Sequence, residues 1–386
     1  MRVVLGADTI KYPLTGIGRY AFELGRGLQQ HAGVDSLHFL RGNSVVSELP
    51  SSALPVRAMA RADTALAIRN RLMAFPPLVA GYSGVTALRQ RWALRTLRGA
   101  VFHGPNYYLP HHDGPCVATF HDLSIFRHPE FHPAVRVRYM ANELPRSLER
   151  ADVLITDSDF TRHEVIAYSG FAPARVLTVP LAVSAEFRPR TQSECFEVLT
   201  RHGLTYKHYF LYAGTVEPRK NLGLLLTAYE RLPLAVRMRL PFVVVGFRGW
   251  CSEDLHFRLS KAQTEGWVSY LGYVSESDLH VLFSGARAFG FPSIYEGFGL
   301  PVLEAMASGV PVVCSNTSSL PEVAGGCALM CEPEDDLALS ALLEKALSDD
   351  CWREQFILKG MTHAATFSWK RTVDATVEAY KLAISI

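Results

Sequence analysis

A chain of 386 residues is long enough for two domains of ordinary size, and 48% apolar with 20% charged residues excludes a disordered chain. A formal charge of +2 is too small to argue for nucleic acid as a partner. No apolar stretch reaches the length of a membrane span, and the seven cysteines include no CxxC pair, so they read as reduced, buried thiols of a cytosolic protein.

The N-terminus, MRVVLGAD, reaches an Asp after a short apolar run and reads as a first strand, not as the apolar core of a secretion signal. Ile17, Tyr20, Ala21, Leu24 and Leu28 recur at helical spacing and predict a helix over 16–30. A second strand follows at 37–40, then a loop over 43–55. Residues 57–98 carry Arg57, Arg61, Arg69, Arg71, Arg89, Arg91, Arg95 and Arg98 against the single acid Asp63. Leu72, Met73, Phe75, Leu78, Val79, Leu88, Trp92 and Leu97 are interleaved with them. FPPLVAGYSG in the middle breaks any helix, and the flanks read as basic amphipathic helices suited to an anionic membrane surface. The plainer alternative is a solvated basic face.

Strands at 101–103, 116–120, 153–156 and 176–179 alternate with helices at 135–150 and 160–168, the latter capped by Ser158. The first half is therefore a doubly wound sheet. Residues 181–205 are polar and irregular and mark a boundary. A second alternation has strands at 209–213, 242–245, 268–271 and 288–292, with helices at 222–231, 276–284 and 336–347. A last helix runs to about 382. The expected fold class is α/β, with a first domain over 1–185, a second over 186–365, and a C-terminal helix, 366–386, returning to the first.

The most informative stretch is FPSIYEGFGLPVLEAMASGVPVVCSNTSSLPE, residues 291–322. It reads as a loop, a helix over 302–308 with Pro301 in its first turn and Gly309 beyond its end, and a buried strand over 310–314. The free N–H groups after Gly299 form an anion site. Glu296 stands before it and Glu304 within its helix. Two carboxylates beside an anion site suit a ligand carrying hydroxyls as well as phosphate, which describes a nucleotide-sugar. Arg219 and Lys220 lie after a strand and before a helix, where open α/β sheets bind ligands, and suit a diphosphate. Gly16-Ile17-Gly18-Arg19-Tyr20-Ala21 fits a glycine loop at a helix start, too far from the first strand for a nicotinamide site. His121, at a strand end, is a candidate to hydrogen-bond a transferred sugar or an acceptor. Asp122 has three open roles: orienting His121, capping the next helix, or taking an acceptor proton. Asp157-Ser158-Asp159 matches a DxD string, but capping is its plain explanation. Cys327 and Cys331 read as core residues, not metal ligands.

The E-x7-E spacing of Glu296 and Glu304, the AGTVEPRKNL segment, the GIGRY loop, His121-Asp122 and TDSDFTR, each in its place along the chain, resemble the retaining glycosyltransferases of family 4, which have the GT-B fold. The resemblance covers nearly the whole chain. It implies two Rossmann-like domains facing across a cleft, the first, 1–185, an acceptor domain and the second, 186–365, holding most of the nucleotide-sugar donor. Arg219 and Lys220 would bind the donor diphosphate, Glu304 the ribose and Glu296 the transferred sugar. Backbone amides of Phe298, Gly299 and Leu300 would meet sugar and phosphate. Gly16 and Gly18 would close from the first domain, His121 would contact the sugar, and Tyr273-Val274 would meet the base. Some relatives carry an Arg where Thr215-Val216 follow Gly214, which places more weight on Arg219. The resemblance also implies no metal or other cofactor and a front-face, retaining transfer. The pattern is most similar to bacterial mannosyltransferases of O-antigen or exopolysaccharide synthesis. GDP-mannose is the first donor expectation, ahead of GDP-rhamnose or a UDP-sugar. A lipid-linked glycan is the expected acceptor, and a peripheral position on the inner face of the plasma membrane the expected location. The rival readings are a sugar-nucleotide epimerase, a phosphorylase, a nicotinamide dehydrogenase and a non-catalytic nucleotide-sugar-binding module.

Overall fold

Two sheets carry the chain. In the computed structural model, which describes residues 1–14, 16–50, 86, 88–250 and 252–386, the first sheet has the strand order β3-β2-β1-β4-β5-β6-β7. These strands are β1 (Arg2–Gly6), β2 (Ser36–Arg41), β3 (Ser44–Val46), β4 (Val101–Gly104), β5 (Cys116–Phe120), β6 (Val153–Thr156) and β7 (Val176–Thr178). The second has the order β10-β9-β8-β11-β12-β13. Its strands are β8 (Phe210–Ala213), β9 (Phe242–Val245), β10 (Val268–Gly272), β11 (Ala288–Phe291), β12 (Val312–Ser315) and β13 (Ala328–Cys331). Among the described residues only β2 and β3 pair antiparallel. β4, β5, β6, β8, β9, β11 and β12 are buried at every residue, which is why they read as short apolar runs rather than alternating patterns.

In each sheet the order reverses beside the first strand, between β1 and β4 and between β8 and β11. Right-handed crossovers then place successive helices on opposite faces and leave a crevice beyond the strands' carboxyl ends at each reversal. The residues singled out from the sequence fall at those ends. The last helix, Trp369–Ser385, packs on the Gly16–Gln30 helix and on β4, β5 and β6. The two helices approach so closely that a Cβ at Gly27 would overlap Val373. Below them runs a buried polar chain. Tyr380 bonds His103 Nδ1 at 2.7 Å, His103 Nε2 bonds Thr119 at 2.8 Å, and Thr119 bonds Tyr20 at 3.0 Å. Burial keeps His103 neutral, with its pKa lowered to about 3.

Several expectations need correction. The loop over 43–55 begins with β3, which closes a tight antiparallel turn through Gly42 at φ +59°. The irregular stretch 181–205 contains the helix Gln192–Arg201, which opens with a Thr191–Glu194 capping box and packs on the second domain's Glu276–Gly285 helix. The helices Glu253–Thr264 and Asp350–Ala364 add to the expected elements of the second domain. Cys351 is exposed and Cys327 half-buried, not core thiols. Leu97 is buried in the first domain and is no part of a membrane-facing set. Most of the basic segment, residues 57–85 and 87, lies outside the described residues. Within the rest, Leu88 and Trp92 are 69% and 64% exposed beside the exposed Arg89, Arg91, Arg95 and Arg98. Arg95 stacks on Trp92 at 4.1 Å.

Candidate active site

The loop between β11 and the Leu300–Ala307 helix builds one wall. Gly299 adopts φ +103°, a conformation that disfavours any side chain, and Pro301 lies in the helix's first turn. The amides of Phe298, Gly299 and Leu300 make no hydrogen bond among the described residues. They are held in place from behind, because Ser319 Oγ donates to the carbonyls of Glu296 and Phe298 at 2.9 and 2.8 Å. The helix start therefore presents donors to the cleft at its positive end.

Glu296 does not stand apart from the cations. Lys220 Nζ donates to one of its carboxylate oxygens at 2.6 Å and Arg219 Nη1 to the other at 3.0 Å. Arg219 also reaches Glu217 at 2.8 Å and the Tyr295 carbonyl at 2.6 Å. All three site groups are nearly enclosed, with side chains 8–13% exposed. Burial alone would raise the Glu296 pKa, but Arg219 and Lys220 outweigh it and hold the carboxyl below its ordinary range. Burial lowers Lys220, and Glu296 offsets only part of that. The sequence reading divided the work, cations for diphosphate and Glu296 for sugar. The structure makes them one cluster, in which Glu296 orients both cations.

Glu304 lies one turn into the helix and is 8% exposed. Burial raises its pKa to about 7, with Arg19 opposing and Glu276 adding to the shift. Arg19 lies in the first turn of the Gly16–Gln30 helix and pairs with Glu276 of the second domain at 2.5 Å. A Cβ on Gly16 would meet nothing within 4 Å, whereas Gly18 is buried in its helix. Of the two glycines, Gly16 is the one beside open space.

His121 departs from its expected role. Its Nδ1 is 2.7 Å from Asp157 Oδ2 and its Nε2 is 2.9 Å from the Pro105 carbonyl. The carbonyl requires a proton on Nε2, so both ring nitrogens are engaged inside the first domain and neither is free for a sugar. Burial lowers the imidazole's pKa, but the Asp157 carboxylate and the two hydrogen bonds raise it further, and the net direction is up. Asp122 takes the capping role among its three, accepting from Ser124 N and Oγ at 2.9 and 2.8 Å. Asp157 is thus the partner that orients His121. The sequence signal was the DxD string at the end of β6, set aside because Ser158 caps the next helix, which it does by accepting from Thr161 N.

The TDSDFTR segment is also where the two walls meet. Ser158 Oγ and Thr161 Oγ1 donate to the Gly297 carbonyl at 2.7 and 3.0 Å. Glu322, from the second domain, accepts from the amides of Asp159 and Phe160 at 2.9 and 3.2 Å and so caps a first-domain helix. Tyr295 bonds Glu164 and the Leu123 amide, and Trp250 Nε1 donates to the Phe131 carbonyl at 2.5 Å. None of Ser158, Thr161, Glu164, Glu322 or Trp250 was predicted for the site, because pairing across a cleft leaves no periodic trace in sequence.

Tyr273 and Val274 follow β10, two strands from β8, which is about 10 Å at the usual strand spacing. Tyr273 is 51% exposed and stacks on Phe247, ring centroids 4.7 Å apart at 20°. Val274 is buried to 9%. The cations and the aromatic pair therefore lie along one edge at a separation that spans a nucleoside diphosphate.

The pattern of Glycosyl transferases group 1 matches residues 201–362, and that of Glycosyltransferase Family 4 matches residues 14–187. Over 386 residues the chain is 44% identical to O-antigen chain mannosyltransferase B of Escherichia coli, covering 99% of this chain and all of that one. It is 34% identical over 272 residues to the serotype-specific mannosyltransferase WbdA of Escherichia coli, 68% of this chain but 33% of that larger protein. Among solved structures, Anabaena HepE in complex with UDP and glucose aligns over 99% of both chains with TM-score 0.68 at 14% identity. WaaG, a glycosyltransferase involved in lipopolysaccharide biosynthesis, aligns over 98% of this chain and 99% of its own with TM-score 0.68 at 15% identity. The fold is GT-B. The chain belongs to the group 1, family 4 glycosyltransferases.

Proposed function

We propose that the protein transfers a mannosyl unit from GDP-mannose to a growing lipid-linked glycan of the O-antigen type, with retention of anomeric configuration and without a metal ion. The observation that carries this is the convergence of Arg219 and Lys220 on Glu296 beside the free amides of Phe298, Gly299 and Leu300. The full-length relative named as an O-antigen mannosyltransferase supports the choice of sugar and acceptor.

The donor diphosphate lies against Arg219, Lys220 and the helix start, which stabilise the charge that develops as the sugar–phosphate bond breaks. Those cations take the part a divalent ion plays in other transferases. Glu304 accepts hydrogen bonds from ribose hydroxyls. Two observations support the front-face route over a covalent one. Glu296 is bound by two cations, and Asp122 is committed to Ser124, so neither is a free nucleophile. In that route the C1–O bond to the diphosphate breaks and the acceptor oxygen bonds C1 on the same face. The acceptor's proton passes to the departing phosphate oxygen. Closure of the two domains excludes water. Exposed Leu88 and Trp92 beside four arginines support a place on an anionic membrane, on its inner face. No helix among the described residues is long and apolar enough to cross one.

The test is a panel of GDP-, UDP- and ADP-sugars, scored by nucleotide release with and without a bacterial lipid extract. Acceptor-dependent release of GDP from GDP-mannose is expected, insensitive to EDTA. Turnover of a nucleotide-sugar without acceptor, or no turnover of any, refutes the reading.

A further inference from the structure

Tyr295 belongs to the second domain's donor loop, yet its side chain lies in a socket built by the first domain. Its ring meets Phe160 and His128 edge-on, with centroids 5.8 and 5.2 Å away. Its hydroxyl donates to Glu164 and accepts from the Leu123 amide, the latter at 3.1 Å. Arg127 holds Glu164 from another side at 3.0 Å. Burial first, and then the bond to Glu164, raises the phenol's pKa, so the hydroxyl stays protonated and donating. The residue is 4% exposed. Parting the domains would return the ring to water and take this donor from Glu164, so the socket favours the closed arrangement.

The main chain of the same residue reaches the cations. Arg219 Nη1 donates to the Tyr295 carbonyl at 2.6 Å and to Glu296 at 3.0 Å, and Nη2 donates to Glu217 at 2.8 Å. The Ile294 amide donates to the Arg219 carbonyl at 2.9 Å, so backbone ties the two segments as well. Arg219 Nε is buried with no hydrogen-bond partner among the described residues. A buried donor is normally paired, and this one sits on a planar fork whose direction the other bonds fix. Tyr295 thus has its side chain anchored in one domain and its carbonyl on a cation of the other. We propose that Tyr295 is a positioning residue: seated in the first-domain socket, it holds its carbonyl against Arg219 and so aims the guanidinium at the departing diphosphate only when the domains are closed. This rests on the reading of Arg219 as a diphosphate ligand. With the ring out of its socket, Arg219 keeps Glu296 and Glu217. That suffices to bind a nucleotide, but it does not hold the fork to the accuracy that charge developing in the transition state requires.

The experiment is a double-mutant cycle on kcat between Tyr295→Ala and Arg219→Lys, which keeps the charge and loses the fork. It is run on the full chain with whichever nucleotide-sugar the wild type turns over. Nucleotide affinity by calorimetry and the thermal midpoint report folding. Tyr295→Phe, which keeps the ring and loses the hydroxyl, is measured alongside and takes the place of Tyr295→Ala if that variant does not fold. Tyr295→Ala should lower kcat by about 100-fold and Tyr295→Phe by about tenfold, each with nucleotide affinity and donor KM within about threefold of wild type. In the Arg219→Lys background no fork is left to aim, so Tyr295→Ala should lower kcat there by less than about threefold. Equal losses in the two backgrounds would show that the socket serves closure alone and would overturn the proposal, as would unchanged kcat in Tyr295→Ala. Wild-type kcat and nucleotide affinity in Arg219→Lys would refute the diphosphate reading and the proposal with it. The expected cycle obtained on a UDP-sugar would refute only the choice of donor and leave the role of Tyr295 standing.

Discussion

Gly297 can carry no side chain because the carbonyl oxygen of His121 occupies the place of its Cβ, so that a residue from the second domain's donor loop and one from the first domain's β5 end are in backbone contact. The carbonyl of Gly297 is at the same time held by Ser158 and Thr161. One peptide unit thus reports whether the two walls are closed. Gly297→Ala places a methyl group against backbone, which no rotamer change relieves. We expect kcat to fall by about 100-fold, the scale on which a 1 Å misplacement acts. GDP affinity should change little, since the cations and helix amides all belong to the second domain. Equilibrium dialysis with GDP beside a transfer assay separates the two effects, and unchanged kcat would show that closure does not depend on this contact.

Glu304 predicts a pH dependence with a definite sign. Its folded pKa, about 7, is above the ordinary carboxylate value of 4.5. Between those values the native state binds more protons than the unfolded state, so this group's contribution to stability is full below pH 4.5 and is lost as pH rises through 7. The span is at most about 3 kcal/mol. Glu304→Gln should therefore flatten the pH dependence of thermal unfolding and raise the midpoint at pH 8. Donor binding runs the other way, because ribose hydroxyls donate to the ionised carboxylate. Calorimetry of GDP binding at pH 6.5 in buffers of different ionisation enthalpy should reveal proton release, absent in Glu304→Gln. The same variant should lose most activity. A midpoint at pH 8 below that of the wild type would contradict the burial argument.

Much of this was legible in the chain because some residue types leave little choice. Pro301 and Gly309 bracket one helix, and Arg219-Lys220 and Glu296 sit where β8 and β11 end. What escaped has two physical sources. The helix Gln192–Arg201 presents only Cys195 and Leu199 to the core, too few apolar residues to show a period. Asp157, Glu322 and Arg19 act on partners 36, 163 and 257 residues away, a relation that exists only once the sheets are built. The direction in which His121 points could not be read either, since it depends on which carbonyl β4 leaves beside it.

Arg89, Arg91 and Arg95 are exposed along with Trp92 and Leu88 on one short stretch. Each basic residue near an anionic surface contributes about 1 kcal/mol. Replacing the three by Glu should abolish sedimentation with vesicles containing phosphatidylglycerol, and raising salt should weaken the wild type's binding. Transfer to a short soluble acceptor should be unaffected, which separates membrane contact from catalysis. Undiminished sedimentation by the triple variant would assign the face to solvent.

Asp157 offers the sharpest separation of charge from shape. In Asp157→Asn the amide can donate to His121 Nδ1 while Nε2–H still reaches the Pro105 carbonyl, so the hydrogen bonds persist with a neutral ring. Asp157→Ala leaves the ring without that partner, a loss of about 3 kcal/mol if a charge stays buried unpaired. The raised pKa of His121 contributes stability that is full below its ordinary value, 6.5, and is lost as pH climbs through the folded value. Asp157→Asn should remove that decline above pH 6.5 and cost about 1 kcal/mol or less at pH 8. If the positive ring aids the departing diphosphate through the floor of the cleft, kcat falls at least tenfold in Asp157→Asn with KM for donor nearly constant. Full activity in Asp157→Asn, with its stability kept, would assign the pair to holding β5 and β6 at the cleft and to nothing in the transfer step.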